Sequence, residues 1–229
     1  PHTPFEEVPE KYRNLYAEKD LSELLNRANV HTEGEGKEAR EAVKDYFAAI
    51  TGIDEQFGRL MNTLEEEGLE DNTVVIFTSD HGEMMGSQGV MHKKFCYEES
   101  LLAPFLIRWP GRIEPGKNNL LLSVPDIMPT LMGLMKIERP STLYIEGENH
   151  ASILLGEEKE KPVSALYLQV VPWDTDHGKR GIRTQQYTFE VDRDNNRERE
   201  HYTLFDNIHD PFQQENIAKK NPELISMLE

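Results

Sequence analysis

An apolar run that ends in a cluster of polar side chains limits the possible fold of this chain more than any other feature. Residues 74–77 are Val-Val-Ile-Phe, and the sequence Ser79-Asp80-His81-Gly82-Glu83 follows almost directly. Four apolar residues bounded by polar and Gly-rich sequence predict a buried β-strand. Because open α/β sheets place ligands at the carboxyl ends of their strands, Asp80 and His81 are predicted to lie at a binding site.

The sequence before this strand predicts a long amphipathic helix. Between Lys37 and Glu67 the apolar residues keep helical spacing, and Gly68 follows in the position that commonly ends a helix. A helix, a short turn and a strand over residues 73–78 form half of an α/β crossover unit. A second apolar strand at residues 104–108 is predicted to join the same sheet.

The two ends of the chain have different patterns. Residues 1–36 are polar and predict irregular structure that ends in an exposed loop at residues 31–36. Residues 125–132 predict a helix entered through prolines. After about residue 160 the sequence changes to short β signals, and Asp210-Pro211 and Asn221-Pro222 each resemble a helix start. The predicted strands cover residues 165–170, 181–191 and 200–205, with a polar hairpin loop at 192–196 between the last two.

Composition excludes several classes of partner and site. The chain has 229 residues with 25 Lys and Arg against 42 Asp and Glu, a net charge of −17. Because a surface this acidic repels nucleic acid and anionic lipid, neither is a predicted partner. The apolar runs are far shorter than the ~20 residues of a membrane span. The single cysteine excludes an internal disulfide and a Cys-rich zinc site.

Asp80 and His81 have the chemistry of metal ligands. A carboxylate offers hard oxygens and an imidazole offers a ring nitrogen, so the pair can hold one face of a divalent cation. The alternative is a turn at a strand end, in which the histidine is satisfied by ordinary hydrogen bonds. With so acidic a chain, an anionic substrate would also need local positive charge, and Lys93 follows 13 residues after Asp80.

The wider pattern is similar to a known family. The chain reads Ser-Asp-His-Gly-Glu, then Lys93-x-x-x-Tyr-Glu-Glu-Ser, then Pro104-x-x-x-Arg-x-Pro-Gly. This order resembles the metal-and-lysine segment of the type I sulfatases, within the alkaline phosphatase superfamily. The opening Pro-His2-Thr-Pro-Phe looks like the PHxPF segment of that family. Weaker matches, which we interpret as fold signatures, are Glu55–Leu60, Arg183-Thr184-x-x-Tyr187, Leu204-Phe205-Asp206 and Asp210–Ala218.

The resemblance implies a fold and a set of site residues. The implied fold is α/β, an alkaline-phosphatase-like mixed sheet flanked by helices, with a small C-terminal antiparallel β subdomain and a closing helix. We place the core portion at residues 1–160 and the subdomain at 161–229. Asp80 and His81 are implied to bind calcium. Because histidine is an unusual calcium ligand, magnesium or another divalent ion stays open.

The resemblance also implies catalytic roles for Lys93 and His2. Lys93 would bridge sulfate and leaving-group oxygens, and His2 would contact the sulfate or protonate the departing alcohol. Lys94 is the competing lysine, and only the Lys-x-x-x-Tyr spacing favours Lys93. His2 could instead be a mobile terminus. His177 lies in a polar loop at residues 173–180 that either lines a substrate pocket or is a surface turn.

One family motif is missing from this sequence. Type I sulfatases carry their nucleophile in Cys/Ser-x-Pro-x-Arg, where the Cys or Ser is oxidised to formylglycine. Cys96 lacks the proline and arginine, and Ser123-x-Pro125 is followed by Ile127 where arginine is required. We therefore predict the C-terminal half of a sulfatase, inactive alone, whose N-terminal half supplies the formylglycine.

The resemblance predicts a sulfated carbohydrate or aryl sulfate as the substrate, and favours a periplasmic or otherwise extracytoplasmic location. Two alternatives stay open. One is a phosphoryl or phosphonate ester hydrolase or transferase of the same superfamily, and the other is a non-catalytic module.

Overall fold

The structure is a computed structural model that describes residues 1–171, 174–193 and 200–229, with the backbone alone for 167–171 and 174–177. The chain forms two compact units, residues 1–109 and 110–229. The first unit contains the predicted metal and lysine segments, and the second contains the C-terminal β signals. The predicted domain boundary at residue 160 stays a prediction.

The N-terminal segment is more ordered than the sequence predicts. It contains two one-turn helices, α1 (Glu10–Arg13) and α2 (Leu21–Leu24), and a 3-10 helix at Gly34–Lys37. The prediction of an exposed loop at residues 31–36 is wrong at Gly36, which is buried. A Cβ atom on Gly36 would lie 1.9 Å from the carbonyl oxygen of His31, so the backbone packs there because no side chain intervenes.

The long predicted helix is confirmed as α3 (Glu38–Glu66). It ends in a Schellman motif, because Gly68 adopts a φ of +64° and the Leu69 N–H donates to the Leu64 carbonyl at 2.9 Å. Ala39 and Val43 on its inner face are fully buried. They form the core of the first unit with three further buried residues, Phe5, Met85 and Met91.

The two predicted strands of the first unit pair with each other. β1 (Val75–Thr78) and β2 (Phe105–Arg108) are antiparallel, with α4 (Glu98–Leu101) between them in the sequence. Phe57 of α3 packs edge-on against Phe77, with ring centroids 5.2 Å apart. The prediction that β1 is buried is wrong for this chain, because its apolar residues are only half-buried. The described residues give this sheet two strands, and Leu106 on β2 is exposed.

The helical part of the second unit confirms the helix predicted at residues 125–132. α5 (Val124–Leu134) begins with a capping box between Ser123 and Asp126, and α6 (Ala151–Leu154) follows. The second Asp126 oxygen accepts the Glu148 N–H at 2.8 Å, which holds the connecting loop against the start of α5. Ser123 therefore has a structural role as a helix cap.

The C-terminal β signals form a four-stranded antiparallel sheet. Its strands are β3 (Ser164–Val171), β4 (Asp174–Thr184), β5 (Tyr187–Arg193) and β6 (Glu200–Asp206), paired in that order. The predicted strand at 165–170 is confirmed, but the single strand predicted at 181–191 is wrong. The chain turns at residues 185–186, where the Thr184 hydroxyl accepts the Tyr187 N–H at 2.8 Å. Residues 194–196 of the predicted hairpin loop lie outside the described residues.

A short helix closes this sheet, as predicted. α7 (Pro222–Leu228) begins at Asn221-Pro222, and Ile225 packs into a core formed by sheet residues that include Phe189 and Leu204. The second predicted start, at Asp210-Pro211, is wrong, because Asp210 accepts the Glu215 N–H at 2.8 Å within a turn. Among the described residues, no helix is both long and apolar enough to cross a membrane.

Candidate active site

The loop after β1 is fixed by a close backbone approach to α4. The Gly82 N–H donates to the Ser100 carbonyl at 2.9 Å. A Cβ atom on Gly82 would lie 2.0 Å from the Glu99 carbonyl oxygen, a distance that no side chain tolerates. Glycine is therefore required at residue 82, and the loop that carries Asp80 and His81 is held against the residues that follow the Lys93 segment.

Asp80 and His81 present their donor atoms to the same space. The His81 Nδ1 atom lies 2.7 Å from the Gly82 carbonyl, and its Nε2 atom lies 3.5 Å from Asp80 Oδ2. Because a carbonyl can only accept, Nδ1 carries a proton, and in the neutral imidazole Nε2 is then the nitrogen with a lone pair for an ion. The Asp80 side chain is 86% exposed, so its oxygens are available to an ion. A backbone bond to the second ring nitrogen is the usual way to orient a metal-binding histidine.

These two residues fit part of a metal site. Across residues 1–171, 174–193 and 200–229, no group of three or more His, Cys, Asp or Glu side chains could hold an ion. Divalent cations in proteins take four or more ligands. The pair could therefore hold one face of a coordination shell, and a complete shell would need further ligands besides these two side chains.

Lys93 and His2 lie together although 91 residues separate them in the sequence. The Lys93 Nζ atom is 2.9 Å from His2 Nε2, and His2 Nδ1 is 2.8 Å from the Thr3 carbonyl. The proton on Nδ1 leaves Nε2 to accept from the ammonium group. Lys93 is half-buried whereas Lys94 is exposed. The arrangement favours Lys93 for a role in the site, as the spacing predicts.

The backbone on both sides of Lys93 is held by side chains. Glu83 Oε1 accepts the His92 N–H and, at 3.4 Å, the Met85 N–H. The Ser100 hydroxyl accepts the Lys94 N–H at 3.1 Å and the Phe95 N–H at 3.3 Å. Sequence reasoning missed the role of Ser100, whose only signal is its place in the Lys-x-x-x-Tyr-Glu-Glu-Ser pattern.

Two other predicted residues have different outcomes. Cys96 is buried, as is usual for a free cysteine that packs as a small apolar residue. His177 lies on β4, but its side chain is outside the described residues, as is Trp173 of the same segment. A substrate contact by His177 stays a prediction.

Comparison with known proteins identifies the family. Residues 1–137 match the sulfatase family model, and residues 86–228 match the model described as N-sulphoglucosamine sulphohydrolase, C-terminal. This chain belongs to the sulfatase family. The two matches together cover almost the whole sequence and confirm the predicted correspondence to the C-terminal half of a type I sulfatase.

Individual relatives support the same assignment. The chain is 38% identical over 246 residues to an endo-4-O-sulfatase of Bacteroides thetaiotaomicron, covering 100% of this chain and 48% of the relative. It superposes on the crystal structure of the putative sulfatase yidJ from Bacteroides fragilis with a TM-score of 0.91 and 33% identity, covering 100% of this chain and 50% of that one. A third structure, solved with its substrate D-glucosamine-2-N,6-O-disulfate, gives a TM-score of 0.70 and 27% identity, covering 98% and 47%.

These likenesses confirm the predicted fold class, an α/β structure of the alkaline phosphatase type. The chain spans about half the length of the curated relatives that it matches.

Proposed function

We propose that this chain is the C-terminal half of a sulfatase that hydrolyses sulfate esters at a divalent-metal site. The observation that carries the proposal is the 2.9 Å contact between Lys93 Nζ and His2 Nε2. In a member of the sulfatase family, this contact joins two residues that the family resemblance implies bind the sulfate group. It lies in the same compact unit as Asp80 and His81.

Asp80 and His81 would hold the metal ion through a carboxylate oxygen and Nε2. When bound, the ion stabilises negative charge that develops on the transferring group in the transition state. Calcium is our proposed ion by family resemblance. Magnesium or another divalent ion stays open, because calcium rarely selects a nitrogen ligand and transition-metal ions accept one more readily. The remaining ligands would come from the N-terminal half.

Lys93 and His2 would bind the sulfate group and assist departure of the alcohol. The Lys93 ammonium has three donors, and one of them now points to His2 Nε2. A sulfate oxygen would replace that nitrogen as the acceptor. His2 would then take a proton from solvent at Nε2 and transfer it to the leaving alkoxide oxygen. General acid assistance of this kind is typically worth about 10²–10⁴-fold in rate.

The nucleophile would come from the N-terminal half as formylglycine, because this sequence contains no Cys/Ser-x-Pro-x-Arg motif. We therefore expect the isolated chain to be inactive. A sulfated saccharide is the proposed substrate class. Its support is the N-sulphoglucosamine sulphohydrolase model that matches residues 86–228 and the disulfated glucosamine bound by a structural relative.

A paired assay tests this function. The full-length enzyme and the isolated chain would each be given sulfate and phosphate monoesters of the same nitrophenol, and then a panel of sulfated and desulfated saccharides. We expect sulfate release by the full-length enzyme only. A preference for the phosphate ester would instead support the phosphoryl hydrolase alternative, and inactivity of the full-length enzyme on every sulfate ester would refute the proposal.

A further inference from the structure

Lys93 lies between two residues that have left-handed backbone conformations. His92 has a φ of +66° and Lys94 has a φ of +80°. Neither residue is glycine, and such conformations persist in other residues only where the surroundings hold them. The position of Lys93 is therefore set by whatever fixes its two neighbours.

A different side chain holds each neighbour. The Glu83 carboxylate accepts the His92 N–H, directly before Lys93. The Ser100 hydroxyl accepts the Lys94 N–H at 3.1 Å, directly after Lys93. Ser100 is only 3% exposed, so its hydroxyl is shielded from exchange with water as a competing partner. Buried hydrogen bonds of this kind are costly to break.

Both acceptors are also tied to the loop that carries the metal ligands. Glu83 follows Asp80 by three residues on that loop. The Ser100 carbonyl accepts the Gly82 N–H at 2.9 Å, while the Ser100 hydroxyl accepts the Lys94 N–H. Ser100 thus contacts the two loops through two different atoms, one in its backbone and one in its side chain.

We propose that Glu83 and Ser100 are positioning residues that fix the Lys93 ammonium relative to Asp80 and His81. The inference rests on the proposed function, since it assumes that Lys93 and the metal act on one sulfate group. A displacement of about 1 Å at a reacting centre can cost about 10²-fold in rate. Greater freedom of the backbone around Lys93 should therefore lower kcat measurably.

Alanine variants of the full-length enzyme test the proposal. Ser100→Ala removes the hydroxyl but keeps the carbonyl that binds Gly82, so metal content should not change. We expect kcat to fall about 10–100-fold with KM changed less than about 3-fold. Glu83→Ala should behave alike, and Glu83→Gln should recover most of the loss, because its amide oxygen can still accept an N–H. Ser87→Ala is the matched control, because Ser87 is equally buried on the same loop and its backbone pairs with Val30.

A double-mutant cycle separates positioning from general stability. In a Lys93→Ala background, Ser100→Ala should cost less than about 3-fold, because its effect is transmitted through the missing ammonium. A full additional loss in that background, or a loss of metal together with kcat, would overturn the proposal. If Ser100→Ala does not fold, the same double-mutant cycle is measured with Glu83→Ala, because Glu83 is partly exposed. Wild-type rates in both alanine variants would refute the positioning role alone, whereas inactivity of the wild-type enzyme would refute the proposed function.

Discussion

Replacing Gly82 by alanine tests the close contact that joins the metal loop to α4. The added Cβ would lie 2.0 Å from the Glu99 carbonyl oxygen, whereas ordinary contact begins at 3.4 Å. The loop and α4 must therefore separate by about 1.4 Å, since neither atom belongs to a flexible side chain. A movement of that size lengthens the 2.9 Å bond from the Gly82 N–H to the Ser100 carbonyl beyond hydrogen-bonding range.

The expected cost has two parts. The lost backbone hydrogen bond is worth about 1 kcal/mol, and steric overpacking typically costs about 1–3 kcal/mol. We therefore expect Gly82→Ala to lower the free energy of unfolding by about 2–4 kcal/mol. Because the same movement displaces Asp80 and His81 from Lys93, kcat should fall by at least about 10²-fold.

Denaturant unfolding and steady-state kinetics of the full-length enzyme measure both effects. Gly58→Ala is the control, because Gly58 is an exposed position of α3 where a Cβ meets no atom within 4 Å. That change should stabilise the protein by about 1 kcal/mol and leave kcat unaltered. If Gly82→Ala were as stable and active as the control, the close backbone approach would not require glycine at residue 82.

Three further predictions concern single side chains. Lys93→Ala should lower kcat and kcat/KM together by about 10²–10³-fold, while Lys94→Ala should change them only a few-fold. Steady-state kinetics measure both variants, and the reverse pattern would assign the role to Lys94. Asp80→Ala should lose the bound divalent ion together with activity, and metal analysis that finds full occupancy would show that Asp80 is only a turn residue. Burial raises the pKa of Asp206, but hydrogen bonds from His209 and other donors outweigh it and lower the pKa to about 2. The ionised Asp206 should thus contribute to the free energy of unfolding above pH 3.8, its ordinary pKa, and this contribution should be lost as the pH falls toward about 2. The free energy of unfolding of Asp206→Asn, measured by denaturant titration, should therefore depend less on pH over that range than that of the wild type.

Features that depend on local sequence could be predicted correctly. The 29-residue α3 has regular apolar spacing and a glycine stop, so periodicity and a backbone rule located it within one residue at each end. The strand before Asp80 was located by its apolar run and the polar residues after it. Its burial could not be predicted correctly, because burial depends on what covers the sheet and not on the strand itself.

The errors came from patterns that two local structures share. Aspartate before proline caps helices, but Asp210 uses the same carboxylate to close a turn onto the Glu215 N–H. The strand predicted at 181–191 is interrupted by Gln185 and Gln186, which carry no glycine, proline or asparagine signal. The turn instead depends on the Thr184 hydroxyl, a bond that composition does not reveal.

The candidate site also contains features that the local sequence predicts and features that it does not. Asp80 and His81 are adjacent in the sequence, so their shared orientation follows from one turn. The contact between Lys93 and His2 spans 91 residues, and only the family resemblance, not spacing, could suggest it. The role of Ser100 depends on left-handed backbone at His92 and Lys94, which the sequence gives no reason to expect.

The short ladder between β1 and β2 has a consequence for local unfolding. Its register runs from Val75 opposite Arg108 to Thr78 opposite Phe105, so residues 79–104 form one loop closed at a single pair of strands. Opening that ladder frees both ends of the loop, whereas Met85 and Met91 still hold its middle in the core of the first unit. An ion bound at Asp80 and His81 would resist that opening and would therefore slow amide exchange at both ends of the loop, including the residues just before β2.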